Sequence, residues 1–212
     1  MGAYVRPWLP QREFRGPDGT VIDFGDRWDP ESGPPESAYS VDSFPERFGV
    51  LHTVAQALVA HGAAEYEARV ERATPGRIVL TPAAADAAPL TVLLEPYPSV
   101  TLRAGMLAAE AFPSCGCDAC DESADALVEA LEWTFLGVLA GRLSEQVGTR
   151  WCGFTWWDAD GRERSSQQRR TSELDPQRRT LAERRLATLP GGRWAPWPAR
   201  RPAGRGRAGP AD

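Results

Sequence analysis

Three cysteines lie within six residues, from Cys115 to Cys120, and their C-x-C-x-x-C spacing is the most specific chemical feature of the sequence. Thiolates spaced in this way bind soft metal ions such as zinc, and they also support thiol–disulfide exchange. Four acidic residues follow closely, and their charges favour a bound dication while they oppose a lowered thiol pKa. The pattern therefore predicts a structural zinc site formed by Cys115, Cys117 and Cys120.

A structural zinc ion requires a fourth ligand. Cys152 is a poor candidate because a predicted helix of about 25 residues, nearly 40 Å long, separates it from the cluster. It also alternates with aromatic residues, as a small buried hydrophobic residue would. His52 lies beside an apolar helix stripe, and we predict it as the fourth ligand. The alternatives are His61, Glu110 and Asp118.

The same cluster contains a second possible chemistry. Cys117 and Cys120 form a C-x-x-C motif at the predicted start of a helix, where the helix N-terminus lowers a thiol pKa. The alternative function is therefore a thiol redox enzyme or sensor that uses Cys117 and Cys120. A third interpretation is that the thiols bind nothing and carry out no chemistry.

Other enzyme classes find no support in the motifs. The chain has two histidines and lacks the G-x-S-x-G, Walker and G-x-G-x-x-G motifs. Hydrolase, nucleotide and dinucleotide functions therefore have no sequence basis. The sequence favours a non-enzymatic binding or interaction protein, with zinc as its cofactor.

Hydrophobic periodicity indicates the elements that must position the cysteines. A helix is predicted from Ser43 to Gly62, because Ser43 can cap it and apolar residues recur at helical spacing. Alternation predicts strands at 65–71, 77–81, 90–95 and 100–104, followed by a long helix at 121–145 and an aromatic strand at 150–157. This order predicts an α+β fold, an antiparallel sheet of about five strands with two main helices packed on one face.

The two ends of the chain differ from its middle. Residues 1–42 are rich in proline, glycine and isolated aromatic residues, which predicts an irregular arm around a domain at 43–160. Residues 161–212 are basic and poor in apolar residues, with one possible helix at 175–189. We expect this tail to be largely disordered, so that its removal leaves the fold nearly intact unless Trp194 and Trp197 dock.

Charge is distributed unevenly along the chain. Residues 1–160 carry 11 Arg and 24 acidic residues, a net charge of −13, whereas residues 161–212 carry 13 Arg and 5 acidic residues, a net charge of +8. The positive charge of the tail predicts at most weak, salt-sensitive binding to nucleic acid. No sequence-specific nucleic-acid partner is expected. Other partners cannot be named from the sequence.

We expect a cytoplasmic location, because the sequence shows no targeting signal. No apolar run approaches the length of about 18 residues that a membrane span needs, and the N-terminus has no signal-peptide pattern. No membrane partner is predicted. Thiols stay reduced in the cytoplasm, which favours metal binding or redox cycling over structural disulfides.

Several short motifs together resemble a family of uncharacterised actinobacterial proteins. They are Ser43-x-Pro45-Glu46-Arg47-Phe48 with Leu51-His52, the strand Ala88-Pro89-Leu90-Thr91, and Cys115-Gly116-Cys117-Asp118-Ala119-Cys120-Asp121-Glu122. The resemblance covers about residues 36–160, and the cysteine motif is its most specific part. It implies an actinobacterial source and a shared small domain. It implies no activity and no catalytic residue.

Overall fold

Two antiparallel sheets and three helices form the fold in the computed structural model, which describes residues 2–201. In chain order the elements are α1 (Val50–Glu65), β1 (Ala68–Thr74), β2 (Arg77–Pro82), β3 (Leu90–Leu94), β4 (Val100–Ala104), β5 (Ala108–Phe112), α2 (Ala124–Leu139), β6 (Leu143–Val147), β7 (Trp151–Trp157), β8 (Glu163–Arg170) and α3 (Pro176–Leu186). Within residues 2–201 no helix combines the length and the apolarity needed to cross a membrane. The predicted α+β class is confirmed.

The larger sheet has the strand order β1-β2-β3-β4-β5, so each strand pairs with its neighbour in sequence. Alternating residues of β2 to β4 point into the core, and Leu80, Leu90 and Val92 are fully buried. Helices α1 and α2 pack against each other beside this core. Close approach is possible at Gly62 of α1, where a Cβ would lie 3.6 Å from the ring of Phe135 of α2.

The fifth strand of this sheet differs from the predicted one. It is β5, whereas the aromatic strand predicted at 150–157 is β7 and belongs to the second sheet, of order β6-β7-β8. Strand β5 reads Ala-Ala-Glu-Ala-Phe, and alanine and glutamate have low strand propensity. Its pairing with β4 comes from tertiary packing, which local sequence does not show.

The second helix is shorter than predicted at its end. A helix at 121–145 was expected, but α2 ends at Leu139 and residues 143–147 form β6. Gly141 follows the helix with φ +67°, and a Cβ there would lie 2.5 Å from the backbone nitrogen of Pro196. Only glycine fits this left-handed position against a neighbouring chain segment.

The first helix also begins later than the sequence suggests. A 3₁₀ turn at Pro45–Gly49 precedes α1, and Phe44 has a positive φ of 53°. The Ser43 side chain therefore caps no helix. The backbone N–H of Ser43 donates instead to Asp118 Oδ1 at 2.9 Å. This bond connects the residues before α1 to the segment that contains the three clustered cysteines.

The expectation of a largely disordered tail is corrected for residues 161–201. Strand β8 pairs along its length with β7, although all of its residues are exposed. Trp194 and Trp197 are 1% and 3% exposed, so the two tryptophans do dock. The polar composition of the tail gave no sign that these two tryptophans are buried. Truncation after residue 161 would therefore remove part of the core, contrary to the prediction that it leaves the fold nearly intact. Residues 202–212 lie outside the described residues, so disorder there stays a prediction, as do the domain boundaries.

One buried carboxylate connects the two sheets to this C-terminal segment. Glu145 of β6 is 2% exposed and accepts hydrogen bonds from the N–H groups of Met106 (2.8 Å), Leu107 (2.6 Å) and Ala108 (2.9 Å), and from Trp194 Nε1 (2.8 Å). Burial raises the pKa of Glu145, and the four donors act in the opposite direction. We call this cluster the Glu145 junction.

Candidate metal centre

The three predicted cysteine ligands converge. Their Sγ atoms all lie within 4.8 Å of one another, with 3.2 Å between Cys115 and Cys117 and 3.5 Å between Cys117 and Cys120. A disulfide would need about 2.05 Å, whereas two sulfurs on one tetrahedral zinc are about 3.8 Å apart. The thiols are free, and Cys115 and Cys120 are exposed while Cys117 is buried. The spacing is closer to a metal centre than to a disulfide.

Local backbone geometry brings the thiols together in the segment from Ser114 to Glu122, which we call the cysteine loop. The Cys120 N–H donates to the Cys117 carbonyl at 3.1 Å and closes a tight turn. Gly116 has φ +90°, and a Cβ there would meet the hydroxyl of Tyr97. Glycine is therefore required between the first two cysteines, both for its backbone conformation and for space.

A carboxylate at the end of the loop holds its beginning. Glu122 accepts hydrogen bonds from the backbone N–H (3.1 Å) and hydroxyl (2.9 Å) of Ser114, and from the N–H groups of Cys115 (3.1 Å) and Gly116 (3.1 Å). These bonds fix the backbone that carries the first two thiols. Glu122 therefore positions the cluster, and its oxygens do not belong to the group of converging ligand atoms.

The N-terminal arm lies against the cysteine loop and forms part of the site. The N–H groups of Asp118 and Ala119 donate to the carbonyls of Val41 (2.7 Å) and Ala38 (3.0 Å). Trp28 Nε1 donates to the Asp118 carbonyl at 2.9 Å. The irregular arm thus supplies backbone partners to a turn that would otherwise leave its polar groups unpaired.

The acidic residues beside the cysteines are already paired. Arg27 lies 3.6 Å from Asp118 and 3.5 Å from Asp121, and its backbone N–H donates to Asp121 at 2.8 Å. Burial opposes ionisation of Asp118, but the N–H of Ser43 and the charge of Arg27 outweigh it, so the pKa of Asp118 is lowered. These carboxylates hold the arm as well as adding negative charge near the thiols.

A buried arginine lies under the loop. Arg47 is 3% exposed and donates to the carbonyls of Gly116 (3.2 Å) and Ser43. Its guanidinium carbon lies 4.1 Å from the ring centres of Phe24 and Phe48. Burial lowers the pKa of Arg47. Arg47 therefore holds the backbone of the cysteine loop at Gly116.

Unsatisfied polar atoms concentrate around the loop. Within residues 2–201, five buried side-chain atoms have no hydrogen-bond partner, and four belong to this region: Arg27 Nη1, Arg47 Nε, Tyr97 Oη and Asp121 Oδ1; the fifth is Tyr4 Oη. Native proteins leave few such groups unpaired, and exceptions often mark functional positions. Their clustering supports a functional assignment for the cysteine loop.

The thiols differ in acidity. A hydrogen bond from Cys115, together with bonds from the backbone and thiol of Cys120, lowers the pKa of Cys117. Hydrogen bonds with Cys115 and Cys117 raise the pKa of Cys120 to about 12. The neighbouring thiols therefore stabilise the Cys117 thiolate, and its negative charge opposes deprotonation of Cys120. A divalent cation would remove this opposition, because it attracts all three thiolates.

The two histidines lie outside this group. His52 Nε2 lies 2.9 Å from the carbonyl oxygen of Ser99, to which it donates. The ring of His61 packs edge-on against Tyr4 and Tyr66, at centroid distances of 5.6 and 6.0 Å. Neither histidine joins the converging ligand atoms, so the structure does not bring the predicted fourth ligand to the thiols.

The remaining candidates are also engaged elsewhere. Glu110 accepts hydrogen bonds from Trp156 Nε1 (3.1 Å) and Gln167 Nε2 (3.3 Å). Asp118 pairs with the arm, as described above. Cys152 is 1% exposed with its Sγ 3.8 Å from the Arg169 carbonyl, as expected for a small buried residue. Within residues 2–201, the three clustered cysteines are the only such group of His, Cys, Asp or Glu ligands.

Sequence reasoning missed four residues that form this site: Arg27, Arg47, Tyr97 and Glu122. Glu122 was one of the acidic residues expected to favour a dication, but its role in positioning the loop was not predicted. Arg47 lies in the first of the motifs quoted above and had no assigned role. Arg27 and Tyr97 lie far from the cysteines in sequence and carry no local signal. Tertiary structure alone places them here.

A family model matches residues 10–201, which include the arm, the cysteine loop and the C-terminal elements. The chain belongs to this family, a family of unknown function (DUF6226). Membership of an uncharacterised family is thereby confirmed, over a longer part of the chain than the quoted motifs cover. The actinobacterial source stays a prediction. No curated protein and no solved structure matches the chain.

Proposed function

We propose that Cys115, Cys117 and Cys120 bind one zinc ion, and that this centre is structural. The observation that carries the proposal is the convergence of three sulfur atoms within 4.8 Å of one another. Zinc has no redox chemistry of its own and is commonly held by three or four thiolates in structural sites. Bound zinc would fix the cysteine loop and, through it, the arm.

The proposed role is that of a non-enzymatic interaction protein in the cytoplasm. The arm contacts the cysteine loop through the carbonyls of Ala38 and Val41 and through Trp28. An ion that stabilises the loop therefore also stabilises the arm on the domain. A reducing compartment supports this proposal, because the thiols must remain unoxidised to bind zinc.

Elemental analysis of reduced, untagged protein tests this function. We expect about one zinc per chain, protection of three thiols from alkylation, and a loss of stability on chelation. The matched control is Cys152→Ser, which removes a thiol outside the cluster and should retain the metal. Less than about 0.2 metal per chain, with all three clustered thiols freely alkylated, would refute the proposal.

A second candidate is thiol redox chemistry at Cys117 and Cys120, favoured by the lowered pKa of Cys117 beside the raised pKa of Cys120. The Cys117 thiolate would attack a substrate disulfide and release one thiol. Cys120, after losing its proton, would displace the second thiol and leave a Cys117–Cys120 disulfide. Helix α2 begins at Ala124, four residues after Cys120, and not at the predicted Asp121.

The alkylation rate of Cys117 against pH tests the redox candidate. A rate midpoint below the ordinary thiol pKa of about 8.5, in metal-free protein, supports it. The Cys120→Ser variant keeps the proposed nucleophile and serves as the control for a stable mixed disulfide. A midpoint at or above the ordinary value would exclude this chemistry.

A further inference from the structure

Within residues 2–201, no fourth ligand joins the three thiols of the proposed zinc centre. The sequence has four cysteines and two histidines. Cys152, His52 and His61 lie elsewhere in the fold, as described above. Residues 202–212, which lie outside the described part of the chain, contain no cysteine or histidine, so all four cysteines and both histidines of the sequence are accounted for.

The nearest carboxylates contact other groups of the chain. Asp118 and Asp121 form ion pairs with Arg27, although Asp121 Oδ1 accepts no hydrogen bond. Glu122 accepts four hydrogen bonds from the beginning of the loop. Moving Glu122 onto the metal would release the N–H groups of Cys115 and Gly116. None of these carboxylate oxygens joins the converging group.

Two of the three cysteines lie at the protein surface. Cys115 and Cys120 are exposed residues, and only Cys117 is buried. This placement favours a metal position that an external ligand could reach. Closed structural sites have four protein ligands, whereas catalytic sites keep three and take the fourth from solvent or substrate. A structural centre with three ligands from this chain therefore needs its fourth ligand from another molecule.

Local charge decides which kind of ligand this position favours. Three thiolates on a divalent ion carry a net charge of −1. Two arginines and three carboxylates surround the loop and contribute a further −1: Arg27, Arg47, Asp118, Asp121 and Glu122. A fourth thiolate would add negative charge to a negative site, whereas an imidazole adds none.

We infer that the zinc centre keeps an exchangeable fourth position for a neutral nitrogen donor from outside the chain, an imidazole above all. The inference depends on the proposed zinc function, because the three thiolates must hold the metal first. The bound donor completes a Cys₃His set, which is a common structural set for zinc. A histidine on a partner protein or a free imidazole has the required chemistry.

Cobalt(II) substitution tests this inference, since the visible bands of tetrahedral cobalt report its ligands. Imidazole and 2-mercaptoethanol are titrated separately into the cobalt-loaded full-length protein. We expect imidazole to change the bands and, at tenfold excess over its dissociation constant, to tighten cobalt binding by about tenfold. The thiol should bind more weakly than imidazole.

Two histidine variants provide the controls. His52→Ala and His61→Ala should show the bands of the unsubstituted protein and the same response to imidazole. A change in the imidazole-free bands of His52→Ala would show that the chain supplies its own ligand and would overturn the inference. Bands that ignore imidazole, or a stronger response to thiol, would overturn it too.

The source of the donor is distinguished by a second titration. A short peptide with a single histidine should reproduce the effect of imidazole, and the same peptide with alanine should have no effect. Failure of cobalt to bind at all would refute the metal centre itself. Cobalt bands that do not respond to either donor would refute only the exchangeable position.

Discussion

Two glutamates of this protein each organise a neighbouring backbone segment, one in the cysteine loop and one in the core. Glu122 in the cysteine loop and Glu145 in the Glu145 junction each accept four hydrogen bonds, largely from backbone N–H groups of a preceding segment. Glu145 is buried and its partners are fully used, so it stabilises the fold. Glu122 organises a surface loop whose three thiols are free and could bind a metal ion.

The comparison supports the cysteine loop as the candidate functional site. Buried polar atoms around the Glu145 junction are paired, whereas those around the cysteine loop include Arg47 Nε and Tyr97 Oη without partners. A structural network is satisfied internally. A binding site has groups that only a ligand, or the order that the ligand brings, would satisfy.

The largest effect is expected from Cys117→Ser. The total binding free energy of zinc in structural sites is about 10–16 kcal/mol, so loss of one of three thiolates should weaken zinc binding by roughly a thousandfold. A competition titration with a zinc indicator measures this. The control Cys152→Ser should bind zinc as the unsubstituted protein does, and equal losses in both variants would contradict the assignment.

Glu145→Ala should lower the free energy of unfolding by about 4 kcal/mol, because four buried donors lose their acceptor. Urea denaturation measures the change, and Gln146→Ala on the same strand is an exposed control with an expected effect within about 0.5 kcal/mol. Zinc affinity of the folded variant should remain unchanged. A stability loss below about 1 kcal/mol would show that the junction is not a structural centre.

Glu122→Gln should weaken zinc binding by about 10- to 100-fold, the range found when groups that orient metal ligands are changed. The glutamine amide would place its own N–H groups against donors of the loop. Exposed Glu129 on α2 offers the matched control Glu129→Gln. If the two variants bind zinc equally well, Glu122 does not position the thiols.

The smallest effect concerns pH. The pKa of Glu145 is raised in the folded state by burial, so between the ordinary carboxyl pKa near 4.3 and the raised value the folded protein binds more protons than the unfolded one. Its contribution to stability therefore falls as pH rises through that window, by at most about 1.4 kcal/mol per pH unit, and is level above it. The unsubstituted protein should lose stability relative to Glu145→Gln across this window, and a relative gain would contradict the shift.

Parts of the fold and of the cysteine cluster are predictable from the sequence alone. Strands β3 and β4 alternate in hydrophobicity, and the three cysteines are close in sequence, so local patterns predict both. Strand β5 is alanine-rich and β8 is polar and fully exposed, so their pairing has no local signal.

The surroundings of the thiols could not be predicted in the same way. His52 was a plausible fourth ligand because it flanks an apolar stripe, but its ring donates to Ser99 in the structure. Arg27 reaches Asp118 and Asp121 across more than 90 positions of sequence. Such contacts depend on how the arm folds back, which neither spacing nor periodicity encodes.

X-ray absorption at the zinc edge tests the central claim most directly, because it counts the ligands of the bound metal. We predict three sulfur ligands at about 2.3 Å and one nitrogen or oxygen ligand at about 2.0–2.1 Å. In the Cys117→Ser variant, zinc that remains at the cysteine loop should show at most two sulfur ligands. A zinc shell without sulfur, or with a single sulfur, would contradict the account.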